Sequence, residues 1–363
     1  MDNQKVITSD ITDRVVTVEK LLEIYNIDLE IWEIEKQIVN TWEVGAKGPD
    51  GKITTTPLFQ VKLWLKKKQV LFELHNVRQE FLEDLKKLSP QVPSNFRKQP
   101  QEGKLLEITV FDLHFGKVAW HEEVGENYNI EIATQRFNDC IDYFIDLYKG
   151  TSLGRILLPI SNDFFNSDRS HPFNSTTSGT PQEEDTRWQN TFRKGRELLI
   201  TNIQKLSKIA PVEVKVVPGN HDYERSFYLG DSLEGWFHND QNVNIDNSPN
   251  PRKYFSYGKN LIGFTHGNNE KLADLPMIMA QENPTAWAMS YYREFHLGHL
   301  HHKKEGRFNA TNELQGVMVR HMSSLSGTDS WHHKKGYIGA RKSAEAFLWD
   351  KEKGLLNQSY FNI

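Results

Sequence analysis

Asp112 and His114 stand two residues apart just after an apolar run, and four later segments bring more side chains of the same kind. These are Asp163, Gly219-Asn220-His221-Asp222, His266 and Gly298-His299-Leu300-His301. A carboxylate and an imidazole two residues apart beside a strand end can turn toward one ion. Asp163 has two carboxylate oxygens and is the natural bridge between two ions, and Asn220 supplies a neutral amide oxygen. His266 and His299 add ring nitrogens, and His301 can return to the first ion. Any one of these histidines alone would read as an ordinary structural or surface residue. The ordered set has enough oxygen and nitrogen ligands for two neighbouring divalent metals, a device suited to attack on phosphate esters. Mixed oxygen and nitrogen ligation suits Mn²⁺, Zn²⁺ or Fe²⁺ better than an all-oxygen magnesium site.

The surrounding pattern supplies elements that could present these groups together. Residues 105–111 form an apolar strand ending at Asp112, residues 155–160 another ending near Asp163, and residues 212–217 a third leading to Gly219. Residues 261–265 form a fourth, ending at His266, while residues 132–148 and 187–208 have helical periodicity. Repeated strands with candidate ligands at their carboxyl ends indicate a layered α/β domain. Cys140, the single cysteine, falls on the periodic stretch 137–148 and reads as a core thiol. Its solitude excludes an internal disulfide and suits a reducing cytoplasm.

The first hundred residues read differently. Residues 17–37 suggest two short helices separated near residues 26–28, with Thr17 as the first cap and Val18, Leu21, Leu22 and Tyr25 on one face. Such a pair is a helical hairpin or a helix-turn-helix, but residues 28–37 hold four acidic side chains and one basic one, so no basic recognition helix is evident. Gly45, Gly48, Pro49, Asp50 and Gly51 mark a turn. Phe59, Val61, Leu63 and Leu65 then alternate with Gln60, Lys62, Trp64 and Lys66, predicting a strand with one wet, basic face. Lys66-Lys67-Lys68 could meet phosphate or simply be solvated. Residues 71–88 look helical again. The predicted division is a small helical and β accessory module over 1–90, a linker over 91–103 and a catalytic domain over 104–363.

With 363 residues, 37% of them hydrophobic, the chain can bury a substantial core. Its net charge of −4 gives no general attraction to nucleic acid, although bound metals would add local positive charge. No apolar run approaches the roughly 20 residues of a membrane span. The first residues are polar, which argues against a signal peptide and for a cytoplasmic protein.

Taken in order, the motifs resemble those of the calcineurin-like metallophosphoesterase superfamily, whose run is Asp-x-His, Gly-Asp, Gly-Asn-His-Asp or Glu, a separate His, and Gly-His-x-His. The resemblance spans roughly residues 104–305. It implies a four-layer α/β/β/α sandwich, here with a small N-terminal α+β module, and phosphoester hydrolysis by two divalent ions, with Mn²⁺ foremost. It further implies that Asp112, His114, Asp163 and His301 hold one metal, and that Asp163, Asn220, His266 and His299 hold the other. His221 would be the catalytic imidazole beside the departing oxygen, oriented by Asp222. One departure is Asn162, where the family has glycine before the bridging aspartate; asparagine is among the better substitutes at positive φ.

Asp-Leu-His-Phe-Gly, Asn-Asp-Phe-Phe-Asn and Gly-His-Leu-His are similar to strings in the repair nucleases of this superfamily. The N-terminal module looks similar to accessory regions on phage and mobile-element phosphoesterases. These resemblances imply a nucleic-acid partner, DNA foremost; the lack of a long apolar run argues against a membrane, and a homodimer would be a useful arrangement for gripping a duplex. The alternatives are a nucleotide or other small phosphoester as substrate, or a weakly active DNA-binding or assembly protein. Around the site, residues 167–189 read as a lid or a surface loop, with Arg169 and His171 able to meet phosphate but too unspecific in context to join the catalytic set, and Asp168 as a supporting or surface carboxylate. His302, Lys303, Lys304, Arg320, His321, Ser323, Ser324 and His332–Lys335 read as a phosphate-facing rim or a plain basic patch. Trp331 and Tyr337 could stack on a base or pack in a core, and residues 276–292 read as a helical, aromatic-rich cover.

Overall fold

In a computed structural model, residues 4–29, 31–47, 49, 51–67, 102–300, 311–336, 339 and 341–363 are described. The chain divides into two compact units, Met1–Lys87 and Leu88–Ile363.

In the larger unit, strand periodicity sorts each strand's side chains onto two faces. The alternate residues Leu106 and Ile108 of β4 (Lys104–Thr109), Ile156 and Leu158 of β5 (Leu153–Ser161), and Val214 and Val216 of β6 (Val212–Val217) share one core with three helices. These helices, Ile130–Leu147, Trp188–Ser207 and Tyr223–Phe237, contribute Phe137, Leu199 and Leu229 among others. The intervening Leu105 and Leu157, with Val217, face the other way into a core between two sheets.

The second sheet contains β8 (Lys253–Tyr257), β9 (Asn260–Thr265), β10 (Tyr292–Leu297), β11 (Thr311–Leu314) and β12 (Val317–His321), in the order β11-β12-β10-β9-β8. Ile262 and Phe264 of β9 enter the core between the sheets. Leu261, Phe295, Leu297, Val317 and Val319 form a further core with Leu275 and Met279 of the helix Leu275–Glu282 and Trp287 of the helix Pro284–Met289. The first sheet is completed by β7 (Val243–Asp246), β13 (Ser343–Asp350) and β14 (Gly354–Asn362), in the order β14-β13-β4-β5-β6-β7. Three apolar cores between four layers make this an α/β/β/α sandwich. Its fold accords with the family resemblance, and the expected helical cover over residues 276–292 is part of the outer layer, giving way to β10 at Tyr292.

Strands β4, β5, β6 and β7 run parallel, as do β9, β10 and β12. Parallel strands put their carboxyl ends on one edge of a sheet, and it is there that Asp112, Asp163, Asn220, His266 and His299 follow. Between the sheets, a chain of polar groups crosses an otherwise apolar core. His296 Nδ1 lies 2.5 Å from Glu107 Oε1 and its Nε2 3.2 Å from Glu294 Oε2, while Arg320 Nε donates to Glu294 at 2.5 Å. Burial opposes protonation of His296, but Glu107 and Glu294 outweigh it and raise its pKa to about 9. Cys140 is buried in the helix-facing core, as its periodic position predicts.

The N-terminal unit departs from the helical expectation. Thr17 does cap a helix, Val18–Ile24, by accepting from Lys20 N at 3.3 Å, and Asn26 follows with φ 47. The second expected helix is instead the start of β2 (Trp32–Lys47), which pairs along its length with β3 (Ile53–Lys67). Long-range pairing overrides the helical spacing of these residues, and a register shift between Ile34 and Lys36 disguises the strand's alternation. Gly45 therefore belongs to the strand, and the turn falls later, near Pro49 and Gly51. A strand β1 (Gln4–Thr8) adds to β3, and Ile7, Val61, Leu63 and Leu65 pack on Leu21 and Leu22 of the helix. The expected helix over 71–88 lies outside the described residues, as does nearly all of the expected linker.

Candidate metal centre

The loops that leave the parallel strands are held in an unusual backbone conformation. Asp112, His114, Ser161, Asn162, Asp163 and His299 all have positive φ, between 48° and 66°. Such residues cost backbone strain unless the surroundings impose it, and they concentrate at functional sites. Here neighbouring loops are stitched together: Asp112 N donates to Asn162 O at 2.9 Å, His114 N to Asp163 O at 3.0 Å, and Asn162 N to Val217 O at 2.5 Å. Ser324 Oγ donates to Asp112 O at 2.6 Å.

Two glycines allow the loops to come this close. A Cβ at Gly219 would sit 1.9 Å from Asp163 Oδ1 and 2.5 Å from its amide nitrogen. One at Gly298 would meet Asn162 Oδ1 at 2.4 Å and Asp112 Oδ2 at 2.7 Å. Asn162 has φ 57, within the left-handed region that asparagine tolerates. Its side chain is also used, because Oδ1 lies 2.5 Å from His266 Nδ1.

Two groups of metal-ligating side chains result, His114–Asp163–His221 and Asp163–His266–His299, and they share Asp163. Asp112, His114 and Asp163 are fully buried, and His266 nearly so. An amide oxygen can only accept, so with Asn162 Oδ1 as partner, His266 Nδ1 carries the hydrogen and Nε2 presents a lone pair. That nitrogen is 3.0 Å from Asp163 Oδ2, 2.8 Å from Asn220 Oδ1 and 3.2 Å from His299 Nδ1. Asn220 Oδ1 is also 3.0 Å from His299 Nδ1. Four ligand atoms thus converge, and a divalent cation held among them would relieve their mutual repulsion; the donor set fits a metal of the type that takes mixed nitrogen and oxygen ligands.

The protonation tendencies agree. Burial lowers the His266 pKa, but Asp163, then Asp112 and Asp222, raise it to about 9, so a proton competes for the position a cation would occupy. Burial pushes the Asp163 carboxyl up, yet His266 and His221 hold it well below the usual carboxylate range. Burial, and then Asp163, raise Asp222 to about 7.

His221 and Asp222 divide their work in a way the motif alone does not convey. Asp222 turns away from the His221 ring: it accepts from Gly219 N at 3.0 Å, Asp163 N at 3.3 Å and Phe165 N at 3.2 Å, clamping two ligand loops. The ring partner is the carbonyl of Asn166, 2.9 Å from His221 Nδ1. A carbonyl only accepts, so Nδ1 carries the hydrogen and Nε2 is the nitrogen for proton exchange or ligation. The ring packs edge-on to His114, with centroids 4.6 Å apart.

Asn166, Asn162 and Ser324 are the contributors that motif reading missed as orienting groups; the polar character of the Asn-Asp-Phe-Phe-Asn run was the available signal. Asp168 is buried and supports the helix Tyr223–Phe237, accepting from Glu224 N at 2.8 Å and Arg225 N at 3.0 Å. Arg320 belongs to the chain between the sheets rather than to a phosphate-facing rim, because Glu294 holds it there. His321, Ser323 and Ser324 are likewise buried. Arg169 and His171 are exposed on the loop after Asp163, and His333, Lys334 and Lys335 are exposed. His301, His302, Lys303, Lys304 and Tyr337 lie outside the described residues, as do the side chains of Trp331 and His332.

A cavity of about 320 Å³ adjoins the centre, bordered by Asn220, His266, Thr177, Ser178, Tyr223 and Asn268, with others. No helix among the described residues is long and apolar enough to cross a membrane. A scan against protein-family models finds no match to the chain, and a search of curated proteins finds none either.

Proposed function

We propose that this centre is the active site of a two-metal phosphoesterase and that its substrate is a nucleic-acid phosphodiester, DNA foremost. The observation that carries the reading is the position of Asp163 in both clusters of ligating side chains. Asp112, His114, Asp163 and His301 would hold one ion, and Asp163, Asn220, His266 and His299 the other, Mn²⁺ being the first choice. Two such ions supply Lewis acidity and a water activated near neutral pH.

The protein's own groups do the rest. Asn162 keeps the His266 lone pair pointed at the other ligands, and Asn166 fixes where His221 Nε2 points. A His221 ring protonated at both nitrogens would give its Nε2 proton to the departing oxygen and be left as the neutral Nδ1–H form, a role that contributes typically 10²–10⁴-fold in comparable acid catalysis. Asp222 preserves the distance between the Asp163 and Gly219 loops. The choice of DNA rests on the motif resemblance to repair nucleases. A nucleotide or other small phosphoester is the second reading, favoured by the cavity of about 320 Å³, which suits one organic group beside the phosphate.

The test is Mn²⁺-supplemented hydrolysis of matched aryl phosphodiester and phosphomonoester substrates beside end-labelled single- and double-stranded DNA. Wild type is compared with His221→Ala and Asp163→Asn. DNA cleavage lost in both variants is expected, and turnover of small esters without DNA cleavage would move the assignment to the second reading.

A further inference from the structure

Among the described residues, the three-stranded sheet of the N-terminal unit has one face committed to a core and one that is not. Ile7, Val61, Leu63 and Leu65 occupy the first, against the helix Val18–Ile24. Because side chains alternate, the residues between them share the opposite face, and the register identifies their neighbours. Trp64 lies between Val6 of β1 and Lys36 of β2; Lys62 between Thr8 and Ile38; Gln60 opposite Asn40; Leu58 opposite Trp42. None of these side chains is buried, and Val6 and Trp42 are 52% and 41% exposed.

The chemistry of this face is aromatic and cationic. Lys62 Nζ stands 4.8 Å and Lys36 Nζ 5.2 Å from the centre of the Trp64 ring. Lys66 is next along β3 on the same face. The rows from Gln60 to Trp64 contain no carboxylate, and Glu33 enters only opposite Lys66. The segment from Asp10 to Asp28, which carries the helix, leans the other way, with Asp10, Asp13, Glu19, Glu23 and Asp28 against Arg14 and Lys20. From Trp64 to the row of Trp42 is six residues along the sheet, about 20 Å at the usual strand rise.

We propose that this face binds single-stranded nucleic acid. Trp64 and Trp42 offer ring faces to unpaired bases, and Lys36, Lys62 and Lys66 offer ammonium groups to the phosphates between them. Lys36 and Lys62 hold their ammonium groups over the Trp64 ring, and these flexible side chains can swing them off the ring to phosphate without unfolding any element. A duplex keeps its bases stacked inside, so it can use the lysines but not the rings. The occupant is thus an unpaired strand, and the site is separate from the metal centre in residues and in chemistry.

The experiment uses the full chain with Mn²⁺ and a fluorescent, cleavage-resistant phosphorothioate oligothymidylate, read by anisotropy over a salt series. Trp64→Ala should weaken binding by about 5-fold or more, in line with the loss of one base–aromatic stack, whereas Trp64→Phe should largely retain it. Changing Lys62 and Lys66 to Gln should reduce the salt slope by about 1.4, the value for two phosphate contacts on a single strand. Aryl phosphodiester turnover should stay unchanged in all three, separating failure of this surface from failure of the catalytic reading. Unaltered affinity and salt slope in the Ala and Gln variants would overturn the proposal. So would equal affinity of duplex and single strand, or a wild-type dimer that Trp64→Ala dissociates, since a second copy would then occupy the face.

Discussion

Asn166, whose carbonyl holds the His221 ring, sits in a loop tied down by one buried ion pair. Arg225 Nη1 lies 3.2 Å from Glu184 Oε1, with side chains 4% and 0% exposed. Ser167 Oγ donates to the same carboxylate oxygen, and Asn166 Nδ2 donates to Glu183 O at 2.9 Å. Burial raises the Glu184 carboxyl above its ordinary range, and Ser167 and Arg225 offset only part of this. The pair therefore does not recover its own desolvation, yet removing one partner is worse, because the other charge stays buried. Glu184→Gln keeps the shape and strands the guanidinium. The expected cost is about 3–5 kcal/mol. Replacing Arg225 by Met in the same chain should restore most of it, because no buried charge then remains. Urea unfolding is best followed by the reactivity of Cys140, which lies in the core of this unit and reports its opening without contribution from the N-terminal unit. With the higher pKa in the folded state, Glu184 favours the native wild type below its unfolded value, and that benefit is lost as pH rises through the folded value; Glu184→Gln should not show it. A single variant within about 1 kcal/mol of wild type, or a double variant less stable than the single, would refute the reasoning.

Gly219→Ala should drive the Asp163 loop away from its partners, since the added Cβ has only 1.9 Å to Asp163 Oδ1. Metal affinity should fall by about 10–100-fold, as when ligand orientation is lost, in competition with a chelator; full metal retention at limiting metal would contradict this. The His296 pKa of about 9 lies above its unfolded value. Its stabilising contribution is fully present below the unfolded value and lost as pH rises through about 9. Thermal unfolding should therefore show a decline above neutral pH on the order of 3 kcal/mol, flattened in His296→Gln. A wild-type profile with no such decline would exclude the protonated His296 between Glu107 and Glu294.

Much of the larger unit was legible because its signals are local. Residues 212–217 are a strand in both pattern and structure, and the helices predicted over 132–148 and 187–208 occur within a few residues of those bounds. Their apolar spacing is strong and each has a turn or a capping residue nearby. The first unit was less legible: residues 32–47 have a register shift that disrupts period two, and the pairing that makes them a strand comes from β3.

The types of candidate ligand, their order and their location after apolar strands are legible along the chain, because they follow from composition and short-range periodicity. Folding alone brings Asp163 into two clusters, turns His266 with Asn162, and sets the Asn166 carbonyl against the His221 ring. The contacts of Asn162 with His266 and of Asn166 with His221 join residues 104 and 55 positions apart, beside a loop of positive φ at Ser161, Asn162 and Asp163. A one-dimensional pattern does not encode where a carbonyl or an amide oxygen will point once two sheets have packed, so that part of the site becomes visible only when the layers close.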